Sequence, residues 1–183
     1  MNGDKRYPLA FLLIPLVIVL DQWSKYLILK EPSFRGVECL ESPHLCGHVE
    51  VSSIFDLTML WNRGMSFGAL QSEGVMRWVL FVVTGIITIG FAIWLFRATR
   101  WLTALALGLV VGGAIGNMID RARFGAVVDF LDFRGIWEPH FFNYIFNVAD
   151  AAVSVGAVLL FLDQFLLSSS DKAGSENATT ALD

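Results

Sequence analysis

Charge is scarce in this sequence of 183 residues: 16% are Asp, Glu, Lys or Arg, whereas 55% are hydrophobic. The mean hydropathy is +0.61, and a soluble domain of this size cannot hide so much apolar surface from water. Uncharged runs cover residues 78–96 and 101–119, and residues 141–162 contain a single charge, Asp150. Runs of this length suit helices that cross a bilayer, so the composition excludes a soluble domain.

A small-residue cleavage site is also missing near the N-terminus. Lys5, Arg6 and the uncharged residues 7–20 are typical of a secretory signal peptide. Residues 21–25 contain no small-residue cleavage site, however, and apolar residues resume at 26–29. We therefore expect a first membrane span. The sequence predicts one membrane-embedded domain over residues 1–167, with four spans at about 8–29, 75–96, 101–120 and 143–166. Residues 168–183 form a polar tail that we expect to be disordered and cytoplasmic.

The distribution of Lys and Arg bears on the orientation. Four spans place both termini on one side of the membrane. Lys5, Arg6 and the short turn at residues 97–100 favour the cytoplasm for that side, because charges beside the first span and in short loops carry most weight. The full count, 5 inside and 8 outside, favours the opposite side. We expect cytoplasmic termini.

Two segments between the spans predict β-strands outside the membrane. In residues 55–61, Phe55, Leu57, Met59 and Trp61 occupy alternate positions, which indicates a strand with one apolar face. Residues 126–133 are rich in β-branched and aromatic side chains. Both segments lie beyond the same membrane face. The expected fold class is therefore an α-helical integral membrane protein, with four transmembrane helices and a small extracytoplasmic sheet.

The sequence has only two cysteines, Cys39 and Cys46, in the outer loop between the first two spans. An oxidising compartment favours a short disulfide, and free thiols are the alternative. His44 and His48 lie close by, so a zinc site is a third reading, but the spacing fits no standard zinc pattern. We expect no metal.

Gly108, Gly112 and Gly116 follow each other at four-residue spacing on the third span. Small residues on one helical face let a neighbouring backbone approach closely, so we predict tight helix packing there and no chemistry. A non-catalytic membrane assembly module is an alternative function for such a face. It leaves Asp129 and Asp150 unexplained.

Polar residues recur inside the apolar spans, where each needs a partner or a task. Those of the fourth span are spaced by 4, 3 and 4 residues and share one helix face. They are Asn143, Asn147, Asp150 and Ser154. Pairs four residues apart also occur on the first and third spans, namely Asp21 with Lys25 and Asn117 with Arg121. All lie toward the outer surface, as Asp129 does, whereas an ion transporter favours sites near the midplane.

Two carboxylates in a shared, poorly hydrated site suit amide hydrolysis. Like charges a few ångströms apart cannot both ionise at low cost, so one of Asp129 and Asp150 keeps a proton. The ionised partner activates water, and the protonated one donates to the scissile carbonyl and later helps the amine leave. Structural pairing with a cation is the alternative for membrane aspartates, and it suits Asp21 with Lys25 and Asp120 with its neighbour Arg121.

A rival motif lies at residues 64–68, where Gly-Met-Ser-Phe-Gly matches the G-x-S-x-G pattern of serine hydrolases. That motif requires an α/β sheet, for which the chain has no room, and a downstream histidine, here only His140. We expect that Ser66 is not a nucleophile. The sequence contains no H-E-x-x-H, so zinc peptidase chemistry has no support.

Five motifs in chain order resemble blocks of the lipoprotein signal peptidase family, also called signal peptidase II. They are DQWSK at residues 21–25, NRGMSFG at 62–68, GGAIGNMIDR at 112–121, VVDF at 127–130 and FNVADAA at 146–152. One such match is weak, but five in order are specific. Two loops, at residues 31–48 and 137–144, look longer than the family pattern.

The resemblance implies four transmembrane helices with an extracytoplasmic β-cradle, in the bacterial cytoplasmic (inner) membrane. It implies an aspartyl endopeptidase that cleaves a prolipoprotein on the amino side of a cysteine carrying diacylglycerol. Asp129 and Asp150 match the catalytic dyad. The matching supporting or substrate-contact positions are Asp21, Lys25, Asn62, Asn117, Arg121 and Asn147. The resemblance also implies contact with membrane lipid, inhibition by globomycin-type cyclic peptides, and no metal or organic cofactor. We expect a monomer and no nucleic-acid partner.

Overall fold

The structure, a computed structural model, describes residues 7–40, 45–64, 75–133 and 144–180. Its long helices are α1 (Pro8–Lys30), α2 (Val75–Phe96), α3 (Trp101–Phe124) and α4 (Val148–Thr180). Its strands are β1 (Gly47–Glu50), β2 (Asp56–Asn62), β3 (Val127–Asp132) and β4 (Ile145–Phe146). A short 3-10 helix, Gly36–Cys39, lies between α1 and β1. All four long helices contain a stretch that is long and apolar enough to cross a membrane, as the uncharged runs predict.

Helix α3 is the centre of the bundle and packs against the other three long helices. In its most apolar stretch 61% of the residues are buried, against 22% for α1, 11% for α2 and 17% for α4. The predicted close packing at the glycines is confirmed, because α1 leaves no room for side chains there. A Cβ at Gly108 would lie 2.5 Å from the backbone oxygen of Ala10, and one at Gly112 would lie 3.1 Å from that of Ile14.

The strands form one antiparallel sheet in the order β1-β2-β3-β4. The sequence predicted extended structure at residues 55–61 and 126–133, and β2 and β3 lie there. Leu60 of β2 pairs with Asp129 of β3, and Asn62 pairs with Val127. This register places the amide of Asn62 and the carboxyl of Asp129 at the same end of the two strands.

The fourth helix begins later than the sequence predicted. Residues 145–146 form β4, so α4 starts at Val148 and Asn147 stands just before it rather than on its face. Asn143 lies outside the described residues. At the other end, α4 continues as far as Thr180, through most of the segment expected as a polar tail. The domain limits and the disorder of that tail stay predictions.

The loop after α1 is fastened to the sheet. Cys39 and Cys46 form a disulfide, the first of the three alternatives that the sequence left open. Neither sulfur is then a thiolate available to zinc, and His44 lies outside the described residues. The indole Nε1 of Trp61 donates to the backbone oxygen of Gly36 at 3.1 Å, and the Cys46 amide donates to that of Met59 at 2.8 Å. The 3-10 helix therefore packs against β2, next to Asn62.

Candidate active site

Asp129 lies on β3 at the end of the bundle that the sheet covers, and only 1% of it is exposed. Both carboxylate oxygens accept hydrogen bonds from amide side chains. Asn62 Nδ2 donates to Oδ2 at 2.9 Å, and Asn147 Nδ2 donates to Oδ1 at 2.7 Å. Asn62 is itself held, because its Oδ1 accepts from the backbone amide of Gly64 at 2.9 Å. The side chain of Asp129 is therefore fixed from two separate elements.

Asp150 lies in the first turn of α4, where Asn147 is the N-cap residue. The Asn147 Oδ1 accepts from the Asp150 backbone amide at 2.9 Å, and the Asp150 Oδ2 accepts from the Asn147 backbone amide at 3.3 Å. This reciprocal arrangement is a capping box, which satisfies two amides that the helix start leaves without partners. The local sequence thus fixes the position of Asp150.

Two amide side chains connect the two aspartates. Asn117 on α3 donates from Nδ2 to Asp150 Oδ1 at 2.7 Å. Asn147 Nδ2, which donates to Asp129, also donates to Asn117 Oδ1 at 3.1 Å. Asp129, Asn147, Asn117 and Asp150 are therefore members of one chain of hydrogen bonds. Such a chain restricts each carboxyl group relative to the other.

Asp129 and Asp150 line the same cavity, which has a volume of about 700 Å³. Among the described residues of its wall, Asn62, Tyr144 and Ser154 supply the other polar side chains. The other lining residues are apolar: Phe133, Ile145, Phe146, Ala151 and Val155. The site therefore offers two carboxyl groups in the wall of a largely apolar pocket.

Burial raises the pKa of Asp129 from 3.8 to about 7, and the nearby charge of Asp150 adds to the increase. The hydrogen bonds from Asn62 and Asn147 and the charge of Lys25 oppose it, because each favours the carboxylate. Because burial and the charge of Asp150 together outweigh the opposing effects, Asp129 holds a proton over much of the range below neutral pH. A carboxyl group poised there can act as an acid near physiological pH.

A second polar cluster lies behind the amides. Lys25 Nζ is 2.8 Å from Asp21 Oδ2, 2.8 Å from Asp120 Oδ2 and 3.0 Å from Asn117 Oδ1. The ion pair predicted between Asp21 and Lys25 is confirmed. Asp120 makes its direct ion pair with Lys25 on α1 rather than with its neighbour Arg121, because adjacent residues on a helix do not face each other; the charge of Asp120 still acts on Arg121.

The remaining predicted residues have distinct positions. Arg121, on α3, is close enough to Asp129 and Asp150 for its charge to interact with both. Ser66 and His140, on which the serine hydrolase alternative depends, lie outside the described residues. Gln22 is a site-supporting residue that sequence reasoning did not identify, and Asp120 was identified only as an ion-pair partner of Arg121. Gln22 is three residues before Lys25 and lies on the same face of α1, but no periodic signal in the sequence connects it with α3.

Comparisons with known proteins identify the family of this chain. The family model described as "Signal peptidase (SPase) II" matches residues 13–166. A "Lipoprotein signal peptidase" of Caulobacter vibrioides is 42% identical over 159 residues, which cover 86% of this chain and 87% of that protein. One of Brevibacillus brevis is 42% identical over 158 residues, covering 85% and 94%. A solved bacterial membrane enzyme superposes with a TM-score of 0.69 at 25% identity, covering 89% of this chain and 97% of the other. The chain described here belongs to the signal peptidase II family.

Proposed function

We propose that this protein is an aspartyl endopeptidase that removes the signal peptide from diacylglyceryl-modified prolipoproteins, cutting on the amino side of the lipidated cysteine. The observation that carries the proposal is the placement of Asp129 and Asp150 in one cavity, joined through Asn117 and Asn147. Family membership supports the peptidase activity and the class of substrate.

The reaction needs one proton on the pair of aspartates. Asp129 keeps it, because burial and the neighbouring carboxylate disfavour its ionisation. Asp150 takes a proton from a water molecule, whose oxygen then bonds to the scissile carbonyl carbon. Asp129 gives its proton to the carbonyl oxygen, which avoids a free oxyanion. Collapse of the tetrahedral intermediate breaks the C–N bond, and the proton held by Asp150 passes to the departing amine. One hydroxyl proton of the intermediate returns to Asp129 as the new carbonyl forms, which restores the starting protonation of the pair.

The walls of the cavity suit a substrate that is embedded in lipid. Apolar side chains such as Phe146 and Val155 can contact the acyl chains or the apolar signal peptide. Asn62, which lines the cavity, is the polar group that we assign to contact with the substrate backbone near the cut, and Asn117 and Arg121 support the two aspartates. A lipidated precursor stays anchored in the bilayer, so it can reach such a site by lateral diffusion.

The active site lies at the extracytoplasmic face, and both termini are cytoplasmic. The Cys39–Cys46 disulfide supports this side, since disulfides persist in oxidising compartments and this one lies at the same end of the bundle as Asp129. We propose that the protein acts as a monomer. A globomycin-type cyclic peptide is expected to occupy the cavity and to block the two aspartates.

The test is cleavage of a diacylglyceryl-modified precursor by the purified full chain in lipid nanodiscs. The matched control is the same precursor without the lipid. We expect cleavage of the lipidated form alone, inhibition by globomycin, and a product whose first residue by mass spectrometry is the lipidated cysteine. Equal cleavage of both precursors, or a cut at another bond, contradicts the proposed substrate.

A further inference from the structure

The backbone next to each candidate catalytic aspartate is held by another carboxylate. Asp21 Oδ1 on α1 accepts from the backbone amide of Ala149 at 3.0 Å, one residue before Asp150. Asp120 Oδ2 on α3 accepts from the backbone amide of Val128 at 3.2 Å, one residue before Asp129. Two separate anchors therefore fix the main chain at equivalent positions, immediately preceding the two groups of the proposed dyad.

Lys25 connects the two anchors. Its ammonium group has three hydrogens, and three acceptors surround it: Asp21 Oδ2 at 2.8 Å, Asp120 Oδ2 at 2.8 Å and Asn117 Oδ1 at 3.0 Å. Gln22 Nε2 adds a bond to Asp120 Oδ1 at 2.9 Å and one to Asp21 Oδ2 at 3.2 Å. A displacement of one anchor is therefore transmitted to the other.

The cluster is built into the interior. Lys25 is 2% exposed, Asp120 1% and Asp21 0%. A Cβ at Gly116 would lie 2.6 Å from Asp21 Oδ2, so only glycine at that position lets α1 bring the carboxylate so close to α3. Among the described residues that line the cavity, none belongs to this cluster, so the cluster lies behind the aspartates.

We propose that Asp21, Lys25 and Asp120 form a clamp that sets the separation of Asp129 and Asp150, with Asp120 as a positioning residue for the reaction. The proposal rests on the aspartyl peptidase function proposed above. Because two carboxyl groups share a proton only within a narrow range of separations, loosening either anchor lowers the rate of the chemical step more than it affects substrate binding. Lys25 makes the two anchors act together.

The first test is Asp120→Asn, which removes the ion pair with Lys25 while keeping a side chain of nearly the same shape. We expect kcat to fall by about 10- to 100-fold with little change in KM. The basic limb of the pH profile, where the rate falls as the pH rises, should move to lower pH. Aspartates that lie farther apart repel each other less, so the pKa of Asp129 falls. The charged groups facing Asp129 are Asp150 on α4, Arg121 on α3 and Lys25 on α1.

A second variant separates position from charge. Asp120→Asn leaves Lys25 less neutralised, and that charge by itself also lowers the pKa of Asp129. Gln22→Met removes a hydrogen bond to Asp120 without changing any charge. If the basic limb of the pH profile of Gln22→Met also moves to lower pH, with a smaller loss of kcat, the shift reports geometry alone. If Asp120→Asn does not accumulate as folded protein, Gln22→Met decides the question.

The matched control is Asp163→Asn. Asp163 is also a fully buried carboxylate, which accepts from Thr103 at 2.5 Å and lies 3.0 Å from Arg100 Nη2, but it belongs to the other end of the bundle. We expect it to lower thermal stability without moving the pH profile. A pH profile of Gln22→Met identical to that of the wild type overturns the clamp. Activity retained in Asp129→Asn or Asp150→Asn instead overturns the proposed function itself, so the two failures are distinguishable.

Discussion

Asn147 and Asp150 bind each other reciprocally across the first turn of α4, each side chain accepting from the other's backbone amide. Asn147 also donates from Nδ2 to Asp129, so one residue both starts the helix and contacts the second aspartate. Structural capping and positioning of the proposed dyad are therefore combined in a single side chain. Substitutions at this position can separate the two roles.

Serine in place of Asn147 should keep the cap and lose the bond to Asp129, because its hydroxyl accepts from the helix amide but is too short to replace the amide Nδ2. We expect Asn147→Ser to stay near wild-type thermal stability while cleavage slows at least about 10-fold. Asn147→Ala should lose activity and about 1 kcal/mol of stability as well. Thermal unfolding and cleavage rates, measured together, check both; equal stability of the two variants contradicts the capping role.

Replacing either proposed catalytic carboxyl by an amide should abolish cleavage of a lipidated precursor. Asp129→Asn removes the proton donor, and Asp150→Asn removes the base, whereas an amide of nearly the same shape leaves the packing in place. Product formation on gels and by mass spectrometry measures the loss, and membrane insertion of each variant is the control. Turnover like that of the wild type in either variant removes that residue from the mechanism.

The rate of cleavage should fall as the pH rises through about 7. The pKa of Asp129 is raised to about 7, so the acid form needed for proton donation is lost above that value. Because the two aspartates titrate as a coupled pair, the limb of the profile belongs to the pair. A profile of kcat/KM between pH 5 and pH 9 checks the position of the limb.

Asn62→Leu should move this limb to higher pH. The amide of Asn62 donates to Asp129 and favours the carboxylate, so its removal raises the pKa of Asp129 further. Thr88→Val on α2 is the matched control, since it removes a buried hydroxyl that bonds to the backbone oxygen of Thr84. A limb shifted to lower pH in Asn62→Leu would contradict the assignment.

Removal of the disulfide should destabilise the loop that packs against β2. The double variant Cys39→Ser with Cys46→Ser is expected to lose about 2 kcal/mol, because the bond restricts the unfolded loop. Activity should fall less than stability, since Arg63, next to Asn62, still donates to the backbone oxygen of Leu40 at 2.5 Å. Thermal unfolding with and without reductant is the measurement: reductant should affect the wild type and leave the double variant unchanged.

Ser66→Ala should retain cleavage of the lipidated precursor. The proposed chemistry uses water activated by an aspartate, so it needs no serine nucleophile. Cleavage rates of this variant and of the wild type, compared at equal amounts of inserted protein, provide the check. Complete loss of activity in a correctly inserted Ser66→Ala variant would return the G-x-S-x-G motif to consideration.

Much of the architecture is predictable from the sequence because its signals are local. An uncharged run of about twenty residues has few stable alternatives to a membrane helix, so the four long helices follow from run length. Alternation in residues 55–61 likewise indicated β2. The five motifs supplied Asp129 and Asp150 as candidates before any geometry, and the spacing of Asp21 and Lys25 indicated their ion pair.

Helix packing decided the remaining contacts. Asp21 binds the amide of Ala149, 128 residues away, and Lys25 contacts Asn117, 92 residues away; periodicity along one helix cannot specify such partners. The close approach of α1 to α3 turned Asp120 toward Lys25 instead of Arg121. The sequence by itself thus determined which polar groups enter the membrane, because local spacing and solvation control that. Tertiary structure decided which groups meet, because each buried charge must find its partners on whichever element packs beside it.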